Sequence, residues 1–175
     1  MKAARRLLIA PVLLLVVALA CTDRTPTSVP VAPAPDASLI GGLLGATGLL
    51  KCSNLPYASS TKTIGAQGGT ISAGPHTLVI PPGALLNPTA ITMTTPTGLG
   101  VNAVKFQPEG LRFNVPAVLT MSYSNCSLLG KLLPKRIAYT DDNLNIISYL
   151  LSLDNLLSKY VTGKVNHFSD YVIAW

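Results

Sequence analysis

From Lys51 onward, apolar residues fall in short, often alternating runs, and Gly, Pro, Asn and Asp separate the runs. Thr89 to Thr95 sets Thr against Ala, Ile and Met in turn, the period of a half-buried strand. Val101 to Gln107 repeats the pattern, with Val101, Ala103 and Lys105 on one side and Val104 and Phe106 on the other. His76 to Ile80 is rich in β-formers and stops at Pro81-Pro82-Gly83; the shorter Thr70-Ile71-Ser72 follows a turn at Ala66 to Gly69. Leu111 to Phe113 and Ala117 to Tyr123 follow a turn at Pro108-Glu109-Gly110, with Phe113, Val115 and Leu119 expected between sheets. Arg136 to Thr140 and Asn145 to Leu150 flank Asp141-Asp142-Asn143, a hairpin-like turn. Many short runs with Gly/Pro punctuation predict an all-β chain, a single sandwich of mostly antiparallel strands.

The end of the chain admits two readings. Ile146, Ile147, Leu150, Leu153, Leu156, Leu157 and Tyr160 partly fit a 3.6-residue period, so a short helix over 146–157 is the alternative to strands. Ser152 to Asn155 looks like a turn between two strands, which favours strands, and Lys159 to His167 continues as another. Asn166 to Val172 reads as a single strand, straight or with a small bulge, with Tyr171, Ile173 and Trp175 sharing a face.

The first fifty residues have a different texture. Lys2, Arg5 and Arg6 precede an unbroken apolar run from Leu7 to Ala20, which is short for a permanent span of a bilayer about 30 Å thick. Residues 1–20 are therefore expected to be a signal peptide. Ala18 and Ala20 suit ordinary signal peptidase, while Val17-Ala18-Leu19-Ala20-Cys21 resembles a bacterial lipobox, with Ala18 where Leu is usual. In the lipobox reading Cys21 takes a diacylglycerol. Thr22 to Ser38 holds Pro26, Pro30, Pro33 and Pro35 and reads as a tether; at ~3.1 Å per residue it reaches on the order of 50 Å. Leu39 to Leu50 (LIGGLLGATGLL) is apolar with four glycines, too short to span, and is expected to pack on the domain or lie near the lipid. The domain itself is placed at 51–175.

Composition narrows the classes. Charged residues are only 11% of 175, which excludes a coiled coil and a charge-rich disordered chain. Thirteen Lys+Arg against seven Asp+Glu give +6, but removing Lys2, Arg5 and Arg6 leaves ten against seven, or +3. That scattered excess does not make a nucleic-acid footprint, so no nucleic-acid partner is expected. Three cysteines in an exported chain leave one odd. Lipidation of Cys21 resolves the parity and leaves Cys52 and Cys126 to pair in an oxidising compartment, with Cα atoms expected ~4.4–6.8 Å apart. No Cys-x-x-Cys motif occurs and the two histidines, His76 and His167, are distant in sequence, so no metal or cofactor is expected.

Four blocks, in order over roughly Ile64 to Trp175, resemble the ZU-five domain, a β-sandwich shared by ankyrins, netrin receptors and a tight-junction scaffold. They are Gly68-Gly69-Thr70-Ile71, Leu78 to Leu85 (LVIPPGAL), Pro108 to Phe113 with Pro116 and Leu119, and His167-Phe168-Ser169 before the last strand. The resemblance implies a sandwich and no catalytic apparatus. An export leader precedes these blocks, so the intracellular partners of the animal proteins do not carry over. In some relatives the His-Phe-Ser block cleaves itself at a strained bend. Here Ser169 would attack the Phe168 carbonyl with His167 as base, but no Gly or Pro stands nearby to impose a bend, so the bond is expected to stay intact. Asp141-x-Asn143-x-Asn145 mimics the start of a calcium loop, but Ile146 stands at the Gly position and Ser152 at that of the closing Glu, so a plain turn is expected.

Together these features predict a non-enzymatic, lipid-anchored domain of the bacterial cell envelope, with Thr22 after the cysteine pointing to the outer membrane. It would bind or support an envelope or extracellular protein. The alternatives are a self-processing domain and a plainly secreted or periplasmic structural protein.

Overall fold

The computed structural model describes residues 48–128 and 133–175. The leader, Cys21, the tether and Leu39 to Thr47 lie outside the described residues. Eleven strands follow one another: β1 (Ala58–Ile64), β2 (Gly69–Ala73), β3 (His76–Ile80), β4 (Thr89–Thr95), β5 (Ala103–Gln107), β6 (Arg112–Ser122), β7 (Arg136–Thr140), β8 (Ile146–Tyr149), β9 (Ser152–Asn155), β10 (Tyr160–His167) and β11 (Asp170–Ala174). They form a six-stranded sheet, β1-β4-β5-β11-β7-β8, and a five-stranded sheet, β2-β3-β6-β10-β9, antiparallel throughout. The all-β sandwich expected from the alternation is the fold.

The alternation sets the faces. In β4, Ile91, Met93 and Thr95 point inward and Ala90, Thr92 and Thr94 outward. In β5, Val104 and Phe106 enter the main core, while Ala103 and the preceding Val101 join a second small cluster on the other face with Leu49, Ala138, Val172 and Ala174. The main core between the sheets gathers Ile91, Met93, Phe106, Leu119, Met121, Ile137, Val165, Phe168 and Tyr171. Tyr171 and Ile173 lie in it with Trp175 packed against it, as their shared face predicts. Leu49 and Leu50 are buried as well; Leu49 bridges Ala174, and Trp175 Nε1 donates to the Leu49 carbonyl. β1 has no counterpart among the expected strands: Ser59, Ser60, Thr61, Lys62 and Thr63 offer no apolar alternation, and only Ile64 at its end is buried.

Four expectations are corrected. The helix over 146–157 does not form; β8 and β9 occupy those residues. Ser152 to Asn155 is not a turn but strand β9, and the turn lies at 156–159. Its inward residues are the polar ones: Ser152 Oγ accepts the Ile137 N–H at 3.0 Å, and Asp154 accepts the Tyr123 hydroxyl at 2.5 Å and the Lys135 N–H at 2.8 Å. Polar-in and apolar-out inverts the usual strand pattern, which is why the segment looks like a turn.

Val115 does not bury; it is 42% exposed. The β6–β10 register breaks there, passing from Val165↔Ala117 to His167↔Arg112. Pro116 cannot donate to the ladder, the strand bows, and Val115 leaves the inter-sheet layer. Finally, Asn166 to Val172 is not one strand. β10 ends at His167 in the five-stranded sheet and β11 begins at Asp170 in the six-stranded sheet.

One glycine is indispensable to this arrangement. Gly68 has φ +73°, and a Cβ there would collide with the Ile80 carbonyl and the backbone of Pro81 and Pro82. The β2–β3 hairpin closes against the Pro-Pro-Gly segment only because that side chain is missing. Gly68→Ala is expected to lower stability by roughly 2–4 kcal/mol, combining left-handed backbone strain with a backbone clash. Denaturant unfolding followed by tryptophan fluorescence of Trp175 checks it; a midpoint unchanged from wild type would show that the loop simply moves aside.

Candidate functional site

The His-Phe-Ser block forms the corner where the chain passes from one sheet to the other. Phe168 points into the core, stacks on Phe106 at a centroid distance of 4.7 Å, and meets Phe113 edge-on at 5.1 Å. Its amide is held on both sides: the N–H donates to the Leu111 carbonyl at 2.7 Å, and the carbonyl accepts the Gly110 N–H at 3.1 Å. A bend therefore exists without Gly or Pro inside it. The contacts of Leu111 and Gly110, with the seated Phe168 ring, supply what a special residue would otherwise supply, and those two partners lie more than fifty residues upstream, beyond any local pattern.

His167 is half-buried. Its Nδ1 lies 3.4 Å from the Phe168 oxygen, and its backbone carbonyl accepts the Tyr171 hydroxyl at 2.6 Å. The Tyr139 ring stands edge-on to the imidazole at 5.3 Å. Tyr139, Ser148, Lys164, Asn166, His167 and Tyr171 line a cavity of about 310 Å³ open at this side of the sandwich. Burial, and then the neighbouring Tyr139, hold the Tyr171 hydroxyl well above the usual phenol range, so it donates to His167 and does not ionise. Ser169 is buried beside Phe168. The three residues named from sequence thus come together at one corner by chain continuity, and the geometry adds a Gly110 N–H directed at the Phe168 oxygen.

The other candidates separate from this corner. Cys52 and Cys126 are bonded across a loop of 74 residues, with Cα atoms 3.8 Å apart. That is below the 4.4–6.8 Å expected; the two stand opposite each other in an isolated antiparallel bridge. Cys21 lies outside the described residues. Asp141 accepts the backbone N–H of Asn143 and of Asn145, each at 2.9 Å, and the Asn145 side-chain amide at 2.8 Å. These bonds, that of the Asn145 side chain foremost, lower its carboxyl below the usual range. They also occupy the oxygens that a cation would need. No group of three His, Cys, Asp or Glu side chains converges on one point among the described residues.

The sequence reading overlooked the exposed leucines of the β9–β10 hairpin. Leu153, Leu156, Leu157 and Tyr160 partly fit the helical period of the alternative reading, and the signal for their exposure is the inverted alternation of Ser152 and Asp154 against Leu151 and Leu153.

The chain was compared with models of known protein families and with curated proteins, and it matches none.

His76 opens β3 fully buried, with Nδ1 accepting the Ser122 N–H at 3.1 Å and Nε2 without a partner. Burial depresses its pKa from 6.5 to about 4. Between those two values the unfolded chain binds the proton and the folded one does not, so folding stability rises with pH. The contribution is complete above about pH 6.5 and is lost as pH falls toward 4, amounting to about 3 kcal/mol over the interval. His76→Asn, whose carbonyl oxygen can still accept the Ser122 N–H, is expected to flatten the dependence of denaturant midpoint on pH between 4 and 6.5. An unchanged slope would assign the dependence to another group.

Proposed function

We propose that this is a non-enzymatic domain of the bacterial cell envelope, anchored by lipid on Cys21 and serving protein interaction or structural support. The observation that carries this reading is the Cys52–Cys126 disulfide. A structural disulfide suits an oxidising compartment, which supports export of the chain. With those two cysteines joined, Cys21 is the single cysteine left, and it stands where a leader of lipobox form ends. Closing a 74-residue loop contributes about 4 kcal/mol on the chain-entropy model, a substantial part of the stability of a domain this size. The four blocks that resemble ZU-five domains suit the two-sheet sandwich, and they support a binding or scaffolding role over a catalytic one. Thr22 after the cysteine favours the outer membrane.

Acylated protein is expected to enter the detergent phase on phase separation, and Cys21→Ala to move it to the aqueous phase with the same thermal unfolding midpoint. Detergent partitioning that survives the substitution would remove the anchor from this reading.

One observation favours a second reading, self-processing at the Phe168–Ser169 bond: the Gly110 N–H already donates to the carbonyl that would become an oxyanion. In that reaction the Ser169 Oγ attacks the Phe168 carbonyl carbon and His167 takes the hydroxyl proton. The C–N bond breaks as the amine takes up a proton, and water then opens the ester to leave a Phe168 carboxylate and a Ser169 ammonium. Both new charges would form at residues buried in the core, where unpaired ions are costly. β11 would also become a seven-residue peptide held by non-covalent contacts alone, to β5, β7 and Gly48 to Leu50. The bond is therefore expected to remain intact, with the purified chain ending at Trp175 by intact-mass measurement. A mass ending at Phe168, restored to full length by Ser169→Ala, would establish processing.

A further inference from the structure

Five of the ten residues from Leu151 to Tyr160 are large, apolar and exposed: Leu151 at 86%, Leu153 at 77%, Leu156 at 53%, Leu157 at 97% and Tyr160 at 40%. Single exposed leucines are ordinary on a protein surface; five within one hairpin are not. The hairpin is well fixed. β9 pairs with β10 from Ser152↔Gly163 to Asn155↔Tyr160, and its inward side chains bond Ile137, Tyr123 and Lys135. The leucines are thus presented by a rigid support.

Their distribution is that of a protruding tip with an apolar flank. Leu156 and Leu157 occupy the turn itself. Leu151 and Leu153 stand on the outer face of the five-stranded sheet, where they border an open depression of about 420 Å³ with Val118, Thr162 and Lys164. A second loop reaches the same end of the sandwich. The Tyr123 N–H donates to the Lys159 carbonyl, and the Lys135 N–H donates to Asp154, which brings exposed Leu133 to the side of the hairpin tip.

The charge around this end has one sign. Lys159 and Lys164 are exposed in the turn and on β10. The carboxylates among the described residues lie elsewhere or are turned in. Asp154 faces Tyr123 and Lys135. Asp170, ion-paired to Lys105, and Asp142, also bonded to Lys105, belong with Asp141 to the six-stranded sheet and its β7–β8 turn. Glu109 sits in the β5–β6 turn, beside the far end of β10.

We propose that the β9–β10 hairpin docks onto the surface of an anionic lipid bilayer, with Leu156 and Leu157 below the headgroups, Leu151 and Leu153 at their level, and Lys159 and Lys164 on lipid phosphates. An apolar tip flanked by lysines and clear of exposed carboxylates is the complement of such a surface. The tip is convex. A protein partner would have to offer a matching hole, whereas a bilayer accepts a protruding leucine pair of any outline. The inference rests on the hairpin alone and holds whether or not Cys21 is acylated.

Amide hydrogen exchange on the full chain in vesicles tests it. The vesicles contain phosphatidylethanolamine and phosphatidylglycerol, and the comparison chain carries Leu153→Ser and Leu157→Ser, two exposed positions whose change leaves the core untouched. Amides of residues 151–160 are expected to exchange about tenfold more slowly in wild type than in the double variant, with β3 and β4 identical in both. The difference is expected to shrink in phosphatidylcholine vesicles and at high salt. Equal exchange in the two chains overturns the proposal. So does protection that persists without vesicles, which would assign the face to Leu39 to Thr47 of the same chain, and so does protection that rises with protein concentration at fixed lipid, which would assign it to a second copy. Detergent partitioning of the Cys21→Ala chain reports on the anchor separately.

Discussion

β10 and β11 are consecutive in the chain, yet each is an interior strand of a different sheet. Two residues, Phe168 and Ser169, must carry the backbone across the core between them. A crossing through an apolar layer leaves peptide groups with no ladder to join, and an unpaired buried amide costs about 1–3 kcal/mol. The Phe168 amide finds both its partners in Gly110 and Leu111. Its ring fills the layer between Phe106 of one sheet and Phe113 of the other. The β5–β6 turn and the β10–β11 corner therefore fix one another, and the spacing of the two sheets follows from that contact. The block from Pro108 to Phe113 and the His-Phe-Ser block, far apart in sequence, are two halves of one structural element.

This explains what could be read from the chain and what could not. β3, β4 and β7 carry the bounds read from the sequence, because Pro81-Pro82-Gly83 stops β3, Thr alternates with Ile and Met in β4, and the Asp141-Asp142-Asn143 turn ends β7. β1 was not legible because as an edge strand it buries little more than Ile64, and its Ser and Thr side chains instead bond partners on β4, Ser59 to Thr94 and Thr61 to Thr92. The corner at Phe168 was not legible because the groups that bend the chain lie at Gly110 and Leu111. At the candidate site the sequence supplied the residue types and the disulfide pair, but not the Gly110 N–H on the Phe168 oxygen or the Tyr171 hydroxyl on His167. Those partners depend on tertiary contact and leave no periodic trace.

β9 shows the same limit from the other side. Its inward Asp154 is satisfied by Tyr123, whose hydroxyl burial and that carboxylate together hold far from ionisation. A half-buried carboxylate with two well-placed donors can occupy an inward position that an apolar residue would usually take. Once Ser152 and Asp154 turn inward, the period-2 geometry of a strand forces Leu151 and Leu153 outward. The apolar surface of this hairpin is thus a consequence of the polar network beneath it. Removing the network to restore the ordinary pattern would also remove the exposed leucines.

The remaining solvent faces are kept wet by hydroxyls more than by charge. Ser72 with Thr77, Thr120 with Thr162 and the β1–β4 pairs run across both sheets, which suits a chain with only 11% charged residues. Against such faces the leucine tip stands out, among the described residues, as a concentrated apolar surface. A weak affinity of that tip for lipid would suffice if Cys21 is acylated. An acylated Cys21, as proposed, would keep the domain near the membrane, where the effective concentration of bilayer is high and a contact too weak to recruit a free protein can still orient an anchored one. The anchor would then set where the domain is, and the hairpin which way it faces, leaving the opposite end of the sandwich, with the β5–β6 turn at Glu109, directed away from the lipid.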